Sequence, residues 1–64
     1  MVNTSEARKV SALDEAFRFH QEAKQEGDFV KYERAAYYYR VAGEFTKAEA
    51  CTMAAERLKN EQTH

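Results

Sequence analysis

Residues 27–43, GDFVKYERAAYYYRVAG, are bracketed by the only two glycines of the chain and hold all four of its tyrosines. With Asp28 as N-cap, its short side chain accepting from the free amides of the first turn, the segment reads as one helix. Phe29, Tyr32, Ala35, Ala36, Tyr39 and Ala42 then share a stripe, Val30, Tyr37 and Val41 form a second, and Tyr38 lies between Lys31 and Arg34. A helix that is apolar on more than one side is normally packed on more than one side. It is expected to be the middle of a small helical assembly, with the Tyr37 ring hidden by neighbouring helices of the same molecule or another.

The flanking segments fit that role. Asn3 with Glu6, or Ser11 with Asp14, has the spacing of a capping box, and the first helix starts at one or the other. Val10, Leu13 and Phe17 recur at three and four residues, which predicts that this face meets the tyrosine helix. Phe19 points roughly the other way, beside Ala12, Ala16 and Ala23, as a satellite contact or a partner contact. Gly27 ends the helix because a left-handed residue past the last turn suits glycine, and Asp28 at once caps the next. So tight a connection makes the two helices antiparallel neighbours. Gly43 stops the tyrosine helix in the same way. A third helix begins at Glu44 to Thr46, with Thr46 and Glu49 as a capping box and Phe45 with Ala50 as a hydrophobic staple. Its inner face would be Phe45, Ala48, Cys51, Thr52, Ala55 and Leu58, mostly small residues that let backbones approach, and the polar end, residues 60–64, is expected to fray.

An internal repeat supports this division. GDFVKYERAA from Gly27 aligns with GEFTKAEACT from Gly43, so that glycine, phenylalanine, lysine and glutamate coincide at a period of 16 residues. That is one helix plus a glycine turn, with a phenylalanine after each turn to plug the gap between helices.

Composition narrows the class. A chain of 64 residues has room for one domain and a thin core, since only about 60% of the unfolded surface is buried at this size. Self-association would relieve the shortage. Ten Lys plus Arg against 11 Asp plus Glu give a net charge of -1, so no overall field draws a polyanion, and nucleic-acid or anionic-membrane binding is disfavoured. One cysteine makes no internal disulfide, and neither an apolar signal core nor a run long enough to cross a bilayer is evident. A cytoplasmic setting is expected. No proline and few β-branched residues favour helix throughout. The expected fold is therefore all-α: a three-helix antiparallel bundle or helical hairpin array, about residues 4–26, 28–42 and 45–60, in a single domain 1–64 and dimeric.

No motif points to chemistry. His20 has neither Glu15 nor Glu22 at the i,i+4 spacing that metal ligands on a helix need, and Cys51 has no base at a nucleophile spacing, so no catalytic residue, metal or cofactor is assigned. Lys31, Arg34 and Arg40 beside Tyr38 resemble a surface that grips phosphates and stacks bases, but Asp28 and Glu33 sit among them. The surplus aromatic surface of Tyr37, Tyr38 and Val41, with Phe19 from the first helix, is the better candidate for binding a protein partner, since tyrosine is favoured at interfaces.

The helix-turn-helix from Tyr32 to Leu58 resembles a tetratricopeptide repeat, through Ala36 and Tyr39 on its first helix, Gly43, Glu44 and Phe45 at the turn, and Ala48 and Ala55 on its second. That resemblance implies close helix pairing and binding of protein segments. Ala35, Ala36, Tyr38, Ala48, Glu49 and Cys51 are also similar to the pattern of small regulators of enteric bacteria and their phages that bind AraC-type transcription activators. The expected function is a small non-enzymatic protein-interaction or regulatory module, homodimeric, that binds its partner through an aromatic helical face. The alternative is a nucleic-acid-binding accessory protein or a small phage or mobile-element transcription regulator.

Overall fold

The computed structural model describes residues 4–63. They form three helices, α1 (Thr4–Glu26), α2 (Phe29–Val41) and α3 (Phe45–Gln62). No strand occurs among the described residues. α1 and α3 pack along opposite flanks of α2 and hardly meet each other, so the architecture is a row of antiparallel neighbours rather than a closed bundle. The Asn3–Glu6 capping box lies outside the described residues, and Ser11 sits well inside α1 rather than at its start.

Small residues set the spacing. Ala12, Ala16 and Ala23 of α1, Ala35, Ala36 and Tyr39 of α2 with Ala42 at its C-cap, and Ala48, Cys51 and Ala55 of α3 are buried, and Ala16, Ala35, Ala36, Tyr39, Ala48 and Cys51 form one cluster. Tyr39 is the one bulky side chain in this core, and Leu13, Phe19, Tyr32 and Tyr38 pack around it partly buried. Close backbone approach at the alanines leaves slots that only rings at the edges fill, which is how a thin core reaches interior density.

Of the face expected for α1, only Leu13 packs against the core. Val10 and Phe17, predicted to meet α2, are exposed, Phe17 by 61%. Burying Phe17 would hold the helices apart. The alanine ridge at positions 12, 16 and 23 lets them close, and it turns Phe19 inward to stack on Tyr38 at 5.7 Å. The expected inner face of α3 holds at Ala48, Cys51 and Ala55, with Thr52 and Leu58 half-buried, but not at Phe45, which is 68% exposed. Its repeat counterpart Phe29 is half-buried, with the Lys59 ammonium 5.5 Å from its ring. α3 lies over Phe29, whereas among the described residues no helix lies over Phe45.

The two turns are built on left-handed glycines, Gly27 at φ +64° and Gly43 at φ +80°. At the second, the Gly43 amide donates to the Arg40 carbonyl and the Glu44 amide to the Tyr39 carbonyl (3.0 and 2.8 Å). These are the paired bonds of a Schellman cap. Asp28 caps α2, its carboxylate accepting from the Val30 amide at 2.9 Å. Glu44 precedes α3 without a side-chain capping bond, so the Thr46–Glu49 box is not formed: the helix has already begun ahead of Thr46. α3 continues to Gln62, whose Nε2 donates to the Gly27 carbonyl at 3.2 Å and ties this end to the first turn.

Candidate functional site

The side of α2 turned away from both neighbours carries Val30, Arg34, Tyr37 and Val41. Val30, Tyr37 and Val41 are 45%, 61% and 52% exposed. Of the two covers expected for the Tyr37 ring, helices of the same molecule or of another, the described residues of its own chain leave it 61% exposed. The four residues predicted as an interface divide in two. Phe19 and Tyr38 stack nearly parallel, with 4° between their planes, as the half-buried wedge between α1 and α2. Tyr37 meets Tyr38 edge-on at 5.2 Å and 78°, and stands in solvent with Val41. The three rings form a chain from the packed interior to the surface. A ring backed by another ring is held in place, so Tyr37 offers apolar area at little loss of side-chain freedom.

Two grooves meet at these tyrosines. One, of about 380 Å³, runs between α1 and the end of α2, with Ala7, Arg8 and Ser11 on one side and Tyr37 and Val41 on the other. The second, of about 310 Å³, continues along α2 past Val30, Glu33 and Arg34. The result is an apolar strip with charges at its margins, the usual anatomy of a docking surface.

The cations proposed for nucleic acid do not converge. Lys31 turns to α1, its ammonium 2.9 Å from Glu22 and 2.8 Å from Glu26. Hydrogen bonds to Glu26 and then Glu22 raise its pKa, so the charge is permanent but already matched. Arg40 points to the opposite flank, donating to Thr52 Oγ1 at 3.2 Å. Arg34 alone stays on the outer strip, its guanidinium 6.0 Å from the Phe19 ring centre. Three divergent cations, one of them neutralised by two carboxylates, make a poor phosphate cradle.

His20 is built into the fold. It lies edge-on to Tyr32 at 5.8 Å and to Tyr39 at 6.0 Å, and its Nδ1 is 3.3 Å from the Tyr39 hydroxyl. Burial, aided by nearby Lys24, lowers its pKa, while burial raises that of the Tyr39 phenol. Both shifts favour the uncharged forms, a neutral imidazole beside a protonated phenol, and the imidazole tautomer sets which of the two donates. Sequence reasoning could not pair residues 19 positions apart. The signal available was that His20 follows Ala16 by one turn on the buried side of α1.

Cys51 is buried, and burial pushes its thiol pKa up, the reverse of what a nucleophile needs. Among the described residues no group of three or more His, Cys, Asp or Glu is placed to hold a metal ion, and no helix is long and apolar enough to cross a membrane. The residues behind the two family likenesses fall largely in the core: Ala35, Ala36, Tyr39, Ala48, Cys51 and Ala55 are all buried. Comparison with protein-family models, with curated proteins and with solved structures found no match to this chain.

Proposed function

We propose that this chain is a small, non-enzymatic interaction module that docks another polypeptide on the outer strip of α2. Tyr37 and Val41 make the contact, and Phe19 and Tyr38 hold Tyr37 in position from behind. The single observation that carries this reading is the 61% exposure of Tyr37, a ring fixed by a neighbouring ring at the junction of two grooves. Exposed apolar strips with charged margins favour protein partners. A regulatory role that acts by binding, in keeping with the likeness to small regulators, is the form of the proposal that needs no chemistry from the chain. The buried, unpaired Cys51 fits a reducing, cytoplasmic setting.

The test is affinity capture with the full chain as bait, comparing wild type with Tyr37→Ser and Val41→Ser. Both variants should keep the wild-type circular dichroism and thermal midpoint, because the residues replaced are exposed, and should lose the polypeptides that wild type captures. Equal capture by folded variants would refute the reading. A gel-shift titration with mixed DNA and RNA should show no salt-sensitive complex, since the cations are dispersed.

A further inference from the structure

The outer residues of α2 recur at 30, 34, 37 and 41, that is, at intervals of four, three and four. This is the d-a-d-a spacing of a coiled-coil seam. It sits on the face that α1 and α3 leave free. Resting on the docking face above, we infer that its occupant is α2 of a second copy, laid antiparallel across a two-fold axis.

The pattern is self-complementary only in that orientation. Antiparallel pairing layers each a position with a d position, so the numbers of facing residues sum to 71. Val30 then meets Val41 of the partner subunit, and Arg34 meets Tyr37 of the partner subunit. Both contacts occur twice, as an isologous interface requires. Arg34 gains the face of a tyrosine, a favourable place for a guanidinium. Parallel pairing would layer a with a, setting two Arg34 guanidinium groups against each other in the middle of an apolar seam. The two grooves beside Tyr37 and Tyr38, together the length of α2, receive the partner's side chains.

The register gives the test. In a Cys51→Ala background, Val30→Cys and Val41→Cys chains are mixed and oxidised. Position 30 should cross-link to position 41 of the other chain. It should not link to itself, because on a rise of about 1.5 Å per residue the two copies of position 30 lie roughly 16 Å apart along the seam, beyond the reach of a disulfide. Sedimentation equilibrium from micromolar to millimolar concentration should show a dimer in wild type and a folded monomer in Arg34→Glu and Tyr37→Ser. Self-linking at 30 or 41, or a dimer indifferent to Arg34→Glu, overturns the inference. A monomer at every concentration overturns it too, yet the docking face itself falls only if Tyr37→Ser also leaves polypeptide capture unchanged.

Discussion

Replacing Gly43 by L-alanine tests the turn that sets α3 beside α2. The glycine sits at φ +80°, and a Cβ added there meets nothing within 4 Å, so the penalty is conformational rather than steric crowding by neighbours. Holding an L-residue in the left-handed region costs about 1–2 kcal/mol. For a domain of this size each kcal/mol moves the midpoint by roughly 4–8 °C, which gives a fall of about 4–16 °C. The chain is short enough for chemical synthesis, and D-alanine at the same position should do the opposite. It favours positive φ and narrows the unfolded ensemble, for a gain of about 0.4–1 kcal/mol. L-asparagine should fall between L-alanine and glycine. Thermal melts by circular dichroism on the three variants decide the matter. Were Gly43 in ordinary helical conformation, L-alanine would instead stabilise by roughly 0.5–1 kcal/mol. A raised midpoint for L-alanine, or equal midpoints for the two enantiomers, would therefore refute the Schellman geometry at this turn.

Two further outcomes follow from the packing. Phe19→Ala should destabilise by roughly 1–2 kcal/mol, since it removes a half-buried ring from the α1–α2 wedge, whereas Phe17→Ala should stay within about 0.5 kcal/mol; urea titration of both variants checks which face of α1 is buried, and equal losses would contradict the alanine ridge. The His20 pKa is lowered in the folded state from its ordinary 6.5, so the unfolded chain takes up the proton first. Stability is then full above about 6.5 and declines as pH falls from there towards the lower folded value, below which the loss stops growing. Urea midpoints between about pH 7.5 and 5.5 should show that decline in wild type and lose most of it in His20→Gln; a pH dependence unchanged by His20→Gln would count against the burial of His20.

What could be read in advance was whatever depends on neighbours close in sequence. The two glycines, the Asp28 cap and the alternation of alanine and aromatic in α2 are local signals, and each predicted its own structure. The face of α1 was not legible in this way. Val10, Leu13 and Phe17 are as periodic as Ala12, Ala16 and Ala23, and greasier, so ranking by hydrophobicity chose a stripe of which only Leu13 packs against the core. What decided was the width of the gap between two helices, which no single helix encodes. Phe45 misled for a related reason: the repeat predicts a covered ring, but no described helix lies over it as α3 lies over Phe29. The surplus apolar residues Phe19, Tyr37, Tyr38 and Val41 could be picked out because excess apolar surface on a short helix is visible in its spacing. Their division into a backing pair and a contacting pair was not, since it depends on the stacking of Phe19 across from α1.

The near absence of contact between α1 and α3 shapes how the molecule comes apart. In a closed bundle, withdrawing any helix strips two others. Here either outer helix can peel away and leave the remaining hairpin with its own seam intact, while α2 has no such exit. Amides at the centre of α2 should accordingly be the last to exchange with deuterium, and opening should begin at the outer edges of the row. The central strut thus has one side clasped by its neighbours in the chain and the other left exposed.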